Sequence, residues 1–145
     1  MTTRILLIAH APLAHALREC ALHVLADSAM EVLTLDVLPE AAPEATLAAA
    51  QQMLYPEADR PTLVLIDVLG ATPCNVAQRL VQASGCNARL VTGVNLPMLL
   101  RAISYSGEPL EVVAERAVVG GAQGVMQLTS ELALPSSPPL PLPLP

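Results

Sequence analysis

The sequence contains no lysine, no tryptophan and no phenylalanine, and only two tyrosines in 145 residues. A core without large rings must be filled by Leu, Val, Ile and Ala, which suits an α/β protein better than an aromatic-rich sandwich. Without lysine, the basic side chains are seven dispersed arginines (Arg4, Arg18, Arg60, Arg79, Arg89, Arg101, Arg116) against 13 acidic residues, and the formal net charge is -6. No basic run exists to neutralise a phosphate backbone, which argues against nucleic-acid binding. Cysteine is sparse: Cys20, Cys74 and Cys86 form no C-x-x-C pair, as expected for free thiols in a reducing compartment. No apolar run approaches the roughly 20 residues of a membrane span. The five apolar residues after Arg4 are too few for a signal peptide. The expectation is a cytoplasmic protein with no direct membrane insertion.

What is present is an alternation. "RILLIA" (4–9), "VLTLDV" (32–37), "TLVLID" (62–67) and "ARLVTG" (88–93) read as short strands. The first and third are almost continuously apolar, as strands buried on both faces are. Helical patterns separate them. From Leu13, apolar residues recur at Leu17, Cys20, Ala21, Val24 and Leu25, one face of a helix. "PEATLAAAQQML" (43–54) is rich in helix formers. In "TPCNVAQRLVQASG", Thr72 is the candidate N-cap, Pro73 the first helical residue and Gly85 the left-handed stop. "NLPMLLRAISYSG" repeats that punctuation with Asn95 as cap and Gly107 as stop, and a further helix is expected near 109–122.

Such an alternation predicts an α/β, doubly wound, mostly parallel sheet of about four strands with helices on both faces, and the expected strand order is 2-1-3-4. "VMQLT" (125–129) is a possible extra antiparallel edge strand. The domain is expected over residues 1–132. Residues 133–145 form a proline-rich tail, with six prolines in the last eleven residues, a composition of polyproline-type linkers rather than of packed structure.

In an open parallel sheet, ligands bind beyond the carboxyl ends of the strands where the strand order reverses. With order 2-1-3-4, His10 after the first strand and Asp67 after the third emerge side by side. A carboxylate accepting from one ring N–H fixes the imidazole tautomer and leaves the other nitrogen free to attack. The adjoining "GATP" leads into a helix N-terminus, whose open N–H groups and dipole suit an anion. Gly70, Ala71 and Thr72 are therefore the candidate phosphoryl-binding residues, with His10 and Asp67 as the catalytic pair. The plainer reading, a polar loop histidine and a helix-capping aspartate, stands beside this on spacing alone.

Three blocks resemble the mannose-type (mannose/fructose/sorbose) EIIA domain of the bacterial phosphotransferase system: "ILLIAHAPLAHAL", "LVLIDVLGATPCNVA" and "VTGVNLPMLLRAI". The last two lie close to that family's D-x-x-G-G/A-S/T-P-x-N and G-x-N-x-P-M patterns, and the likeness covers about residues 4 to 105. The phosphocarrier subunit of phosphotransferase-dependent dihydroxyacetone kinase is related to the same family. The resemblance implies a phosphotransferase component with a phosphohistidine intermediate: His10 takes a phosphoryl group from the carrier protein HPr and passes it to an EIIB-type partner, with Asp67 orienting the ring. It also implies a homodimer in which a C-terminal strand, here "VMQLT", is exchanged onto the partner's sheet. No cofactor and no metal are expected, because a P–N bond is already a reactive donor. The alternative is a free-standing regulatory module whose phosphorylation state is read by a partner protein, without sugar transport. The chain departs from the family at Ala11-Pro12, where glycine commonly follows the histidine, at Ala71 in place of the second glycine, and at Cys74, where an aromatic residue is often found.

Other polar residues carry weaker signals. His10, His15 and His23 lack the i, i+4 spacing of a metal pair. Cys74 reads as packing, Asn95 as a cap that also shapes the site wall, Met98 as apolar packing, and Arg79 and Arg101 as surface residues.

Overall fold

The computed structural model describes residues 2–29, 31–83 and 85–129. The proline-rich tail expected at 133–145 lies outside these residues. Four strands form one parallel sheet: β1 (Arg4–His10), β2 (Leu33–Val37), β3 (Thr62–Ile66) and β4 (Ala88–Val91), in the order β2-β1-β3-β4. This is the expected order. β1 and β3 lie at the centre, and every residue of both is buried except His10. Their continuous apolar runs are explained by helices on both faces. Each fully buried Leu or Ile contributes about 1.5–3 kcal/mol.

The helices are α1 (Leu13–Val24), α2 (Ala26–Ala29), α3 (Pro43–Leu54), α4 (Thr72–Gln82), α5 (Leu96–Ser104) and α6 (Leu110–Gln123). Side-chain alternation along the strands divides the core. Ile5, Leu7, Ala9, Leu63 and Leu65 pack with α1, α2, α5 and α6, whereas Leu6, Ile8, Val64 and Ile66 pack with α3 and α4. The change of face between the connections puts the switch point between β1 and β3.

Four local expectations are corrected. The N-cap of α4 is Ala71, not Thr72, which is the first helical residue. Gly85 does have positive φ, but α4 ends earlier and its C-cap is Ala83. α5 ends at Ser104 with Tyr105 as C-cap, ahead of the expected stop at Gly107. The possible edge strand at 125–129 forms no ladder within this chain; Val125, Met126 and Leu128 are exposed. A strand needs a partner for its backbone groups, and among the described residues no strand is aligned with this one.

Asn95 caps α5 as its position predicts. Its side-chain oxygen accepts from Met98 N at 2.9 Å, and its Nδ2 donates to the Gly121 carbonyl at 3.1 Å. One side chain thus begins α5 and ties it to α6. Gly121 lets the helices approach closely: a Cβ there would come within 2.7 Å of the Met98 terminal methyl and 3.2 Å of its Cβ.

Candidate functional site

His10 is the last residue of β1, and Asp67 directly follows β3. Because the two strands are paired in register, with Ile8 beside Ile66, their ends deliver both side chains to one point. His10 Nδ1 lies 2.7 Å from Asp67 Oδ2. The same oxygen accepts the His10 main-chain N–H at 2.9 Å, and Oδ1 accepts from Val68 N at 2.8 Å. Asp67 therefore holds the histidine by both ring and backbone. The His10 side chain is 53% exposed and that of Asp67 12%, so the imidazole faces solvent while its partner is sheltered.

Partial burial pushes the Asp67 carboxyl up, but hydrogen bonds from the His10 N–H, the His10 ring and the Val68 N–H more than offset it. The carboxyl is held below its usual range. An ionised carboxylate accepts only, so Nδ1 of a neutral ring carries the proton and Nε2 presents its lone pair outward.

Gly70, Ala71 and Thr72 form the turn into α4 beside this pair. Gly70 has φ +89°, and an added Cβ there would meet nothing within 4 Å. The need for glycine is one of backbone conformation, not of space. No side chain caps α4, so its first N–H groups and the Thr72 hydroxyl remain available to an anion. The three residues make no hydrogen bond to His10 or Asp67 among the described residues; they flank the pair rather than support it.

The remaining candidates divide. His15 is exposed on α1, its Nε2 3.8 Å from Glu19 Oε1. Cys74 is buried, consistent with packing. Arg79 reaches Glu44 from the surface. Arg101 corrects its surface reading: it is 1% exposed, with its guanidinium 5.8 Å from the Tyr105 ring centre and Nε and Nη2 without hydrogen-bond partners. Its stem lies over Gly120 of α6, and this close helix contact is what covers it. No group of three or more His, Cys, Asp or Glu suited to a metal occurs among the described residues. No described helix is long and apolar enough to cross a membrane.

Asp36, on β2, was not singled out by its position in the sequence. Its Oδ1 accepts from Ala14 N at 2.9 Å and from His15 N at 3.4 Å. The only signal in the sequence was negative: α1 begins after "HAP", which offers no capping side chain.

Residues 4–117 match the family described as PTS system fructose IIA component, EIIA-man. The chain belongs to this family. A IIA component has a phosphotransfer role in the phosphotransferase system. The fold agrees with solved structures. The mannose/sorbose-specific IIA subunit from Enterococcus faecalis superposes with a TM-score of 0.83 at 24% identity, over 92% of this chain and 100% of that one. The phosphotransferase component EIIA from Streptococcus agalactiae gives 0.77 at 20%, over 86% and 96%. The IIA protein associated with the fucose utilization operon of Streptococcus pneumoniae gives 0.71 at 22%, over 88% and 96%. No curated protein matches this IIA component.

Proposed function

We propose that this IIA component is a cytoplasmic phosphoryl carrier that accepts a phosphoryl group from phospho-HPr on His10 Nε2 and passes it to an EIIB-type partner. The observation that carries this reading is the 2.7 Å contact of His10 Nδ1 with Asp67, which leaves the other ring nitrogen facing solvent. In the transfer, Nε2 attacks phosphorus in line. The donor P–N bond breaks and its electron pair returns to the donor nitrogen. The His10 ring gains positive charge, and the Asp67 carboxylate opposite Nδ1–H stabilises it. The main-chain N–H groups at Gly70, Ala71 and Thr72, with the Thr72 hydroxyl, receive the phosphoryl oxygens. Onward transfer is the same step with the roles reversed.

The surroundings suit protein partners. Leu13, Leu38, Val68 and Leu69 are exposed and all belong to segments leaving the carboxyl ends of β1, β2 and β3. An apolar rim around a half-exposed histidine fits docking of another folded protein. Segment 125–129 pairs with no strand among the described residues, and neither does the outer edge of β4; both features support a homodimer in which this segment adds to the partner's sheet.

Incubation with phosphoenolpyruvate, the general first enzyme and HPr is expected to place an acid-labile phosphoryl label on the wild-type chain and none on His10→Ala. An unlabelled wild type, or a labelled variant, would remove this function. Adding EIIB-type proteins then separates onward transfer from a purely regulatory role.

A further inference from the structure

Two helix N-termini flank His10, and they are finished differently. α4 follows Ala71 and has no side-chain cap. α1 follows Pro12, which also supplies none, yet its first N–H groups are occupied. Asp36 reaches them from the neighbouring strand, with Oδ1 2.9 Å from Ala14 N and 3.4 Å from His15 N. In the β1–β2 register, Ala9 lies beside Asp36 and His10 beside Val37. The Val37 carbonyl accepts from Ala11 N at 3.0 Å. The segment that leaves His10 is therefore fastened to β2, while His10 itself is fastened to β3 through Asp67. Of the three hydrogen bonds on the β2 side, two end on one carboxylate oxygen.

From this we infer that Asp36 is a positioning residue for His10. It caps α1 from the adjacent strand, and so fixes the backbone on which the imidazole turns and holds the ring in line with Asp67. The physical need is local. Pro12 stands at the N-cap position and provides no acceptor, whereas helices there normally use Ser, Thr, Asp or Asn. Without a cap, the first turn of α1 frays, and the loss of geometry passes through Ala11 to a ring whose placement must hold to within about an ångström. The capped terminus is closed to an anion; that of α4 is open.

The inference rests on His10 being the phosphoryl acceptor, and the test separates the two. Full-length wild type, Asp36→Ala and Asp36→Asn are compared by single-turnover labelling from phospho-HPr at varied donor concentration. The ring ¹⁵N signals of His10 are recorded in the unphosphorylated proteins. Asp36→Ala is expected to lower the maximal transfer rate by about 10- to 100-fold, with the dependence on donor concentration unchanged, and to move the His10 ring signals towards a mixture of tautomers. Asp36→Asn keeps an accepting oxygen and is expected to restore most of both. Wild-type transfer and unchanged ring signals in Asp36→Ala would overturn the inference, as would a lowered urea midpoint with no change at the ring. Should Asp36→Ala fail to fold, Asp36→Glu keeps charge and acceptor but displaces them by one methylene. Transfer is then expected to fall while the fold is retained, and wild-type transfer in that variant would overturn the inference. An unlabelled wild type would count against the carrier function alone, because the ring signals still report on positioning.

Discussion

At the amino end of β1, Arg4 is buried and its reach is used within the chain. Its Nε donates to Thr62 Oγ1 at 3.1 Å, Nη1 to the Leu54 carbonyl at 3.3 Å and Nη2 to the Glu57 carbonyl at 2.8 Å. Six residues on, at the carboxyl end, His10 is half exposed, with one ring nitrogen engaged and the other facing solvent. The amino end also holds a cleft of about 480 Å³ lined by Thr2, Arg4, Met53, Tyr55, Glu57 and Arg60 among others. Arg60 in that cleft is spent in the same way, on Thr2 and Glu57. The cleft and the His10–Asp67 pair thus lie at opposite ends of the sheet. The proposed exchange of a phosphoryl group with other proteins calls for an open surface rather than a cavity, and the half-exposed His10 suits that role.

Substitutions at the two ends sharpen this contrast. The largest effect is expected from His10→Ala, which removes the nucleophile: labelling from phospho-HPr falls below detection while circular dichroism is unchanged. Asp67→Asn comes next, with transfer lowered by about 100-fold through loss of ring orientation. The same variant has a pH signature. The Asp67 carboxyl is held below its usual range in the fold, so its ionised form adds stability at neutral pH. That contribution is lost as the pH falls through the folded-state pKa. The difference in thermal midpoint between wild type and Asp67→Asn is expected to be present at pH 7 and to close on acidification. A smaller effect is expected on the rim. Leu69 is 72% exposed, and Leu69→Glu should raise the donor concentration needed for half-maximal transfer by about 10-fold, or ~1.4 kcal/mol, with the maximal rate kept. Arg4→Met, at the other end, is expected to leave transfer unchanged and to cost about 2 kcal/mol in urea unfolding, because it strands buried carbonyl partners. Slowed transfer in a folded Arg4→Met would break the division of the sheet into a stabilising and a reactive end.

Much of this was legible in the sequence because the signals were local. "RILLIAH" and "TLVLI" carry their own burial, Asn95 sits at a cap, and His10 and Asp67 each stand at the end of an apolar strand run. What escaped was set by neighbours distant in the chain. Asp36 caps a helix 22 residues before it, and nothing in "LTLDV" distinguishes that aspartate from a solvated one. Arg101 reads as a surface residue in "MLLRAIS", but Gly120 brings α6 close enough to cover it. Residues 125–129 have the composition of a strand, but a strand exists only where another chain segment offers its edge. The shift of the α4 cap from Thr72 to Ala71 is a one-residue matter with a chemical consequence, since it frees the threonine hydroxyl.

The central claim is that Asp67 commits His10 Nδ1 and so directs the phosphoryl group to Nε2. It is tested most directly by ³¹P and ¹⁵N NMR of the chain phosphorylated through HPr with its histidines ¹⁵N-labelled. The expected result is one phosphohistidine, with phosphorus coupled to Nε2 of His10 and Nδ1 still protonated opposite Asp67. Phosphorus on Nδ1, or on any residue other than His10, would contradict it.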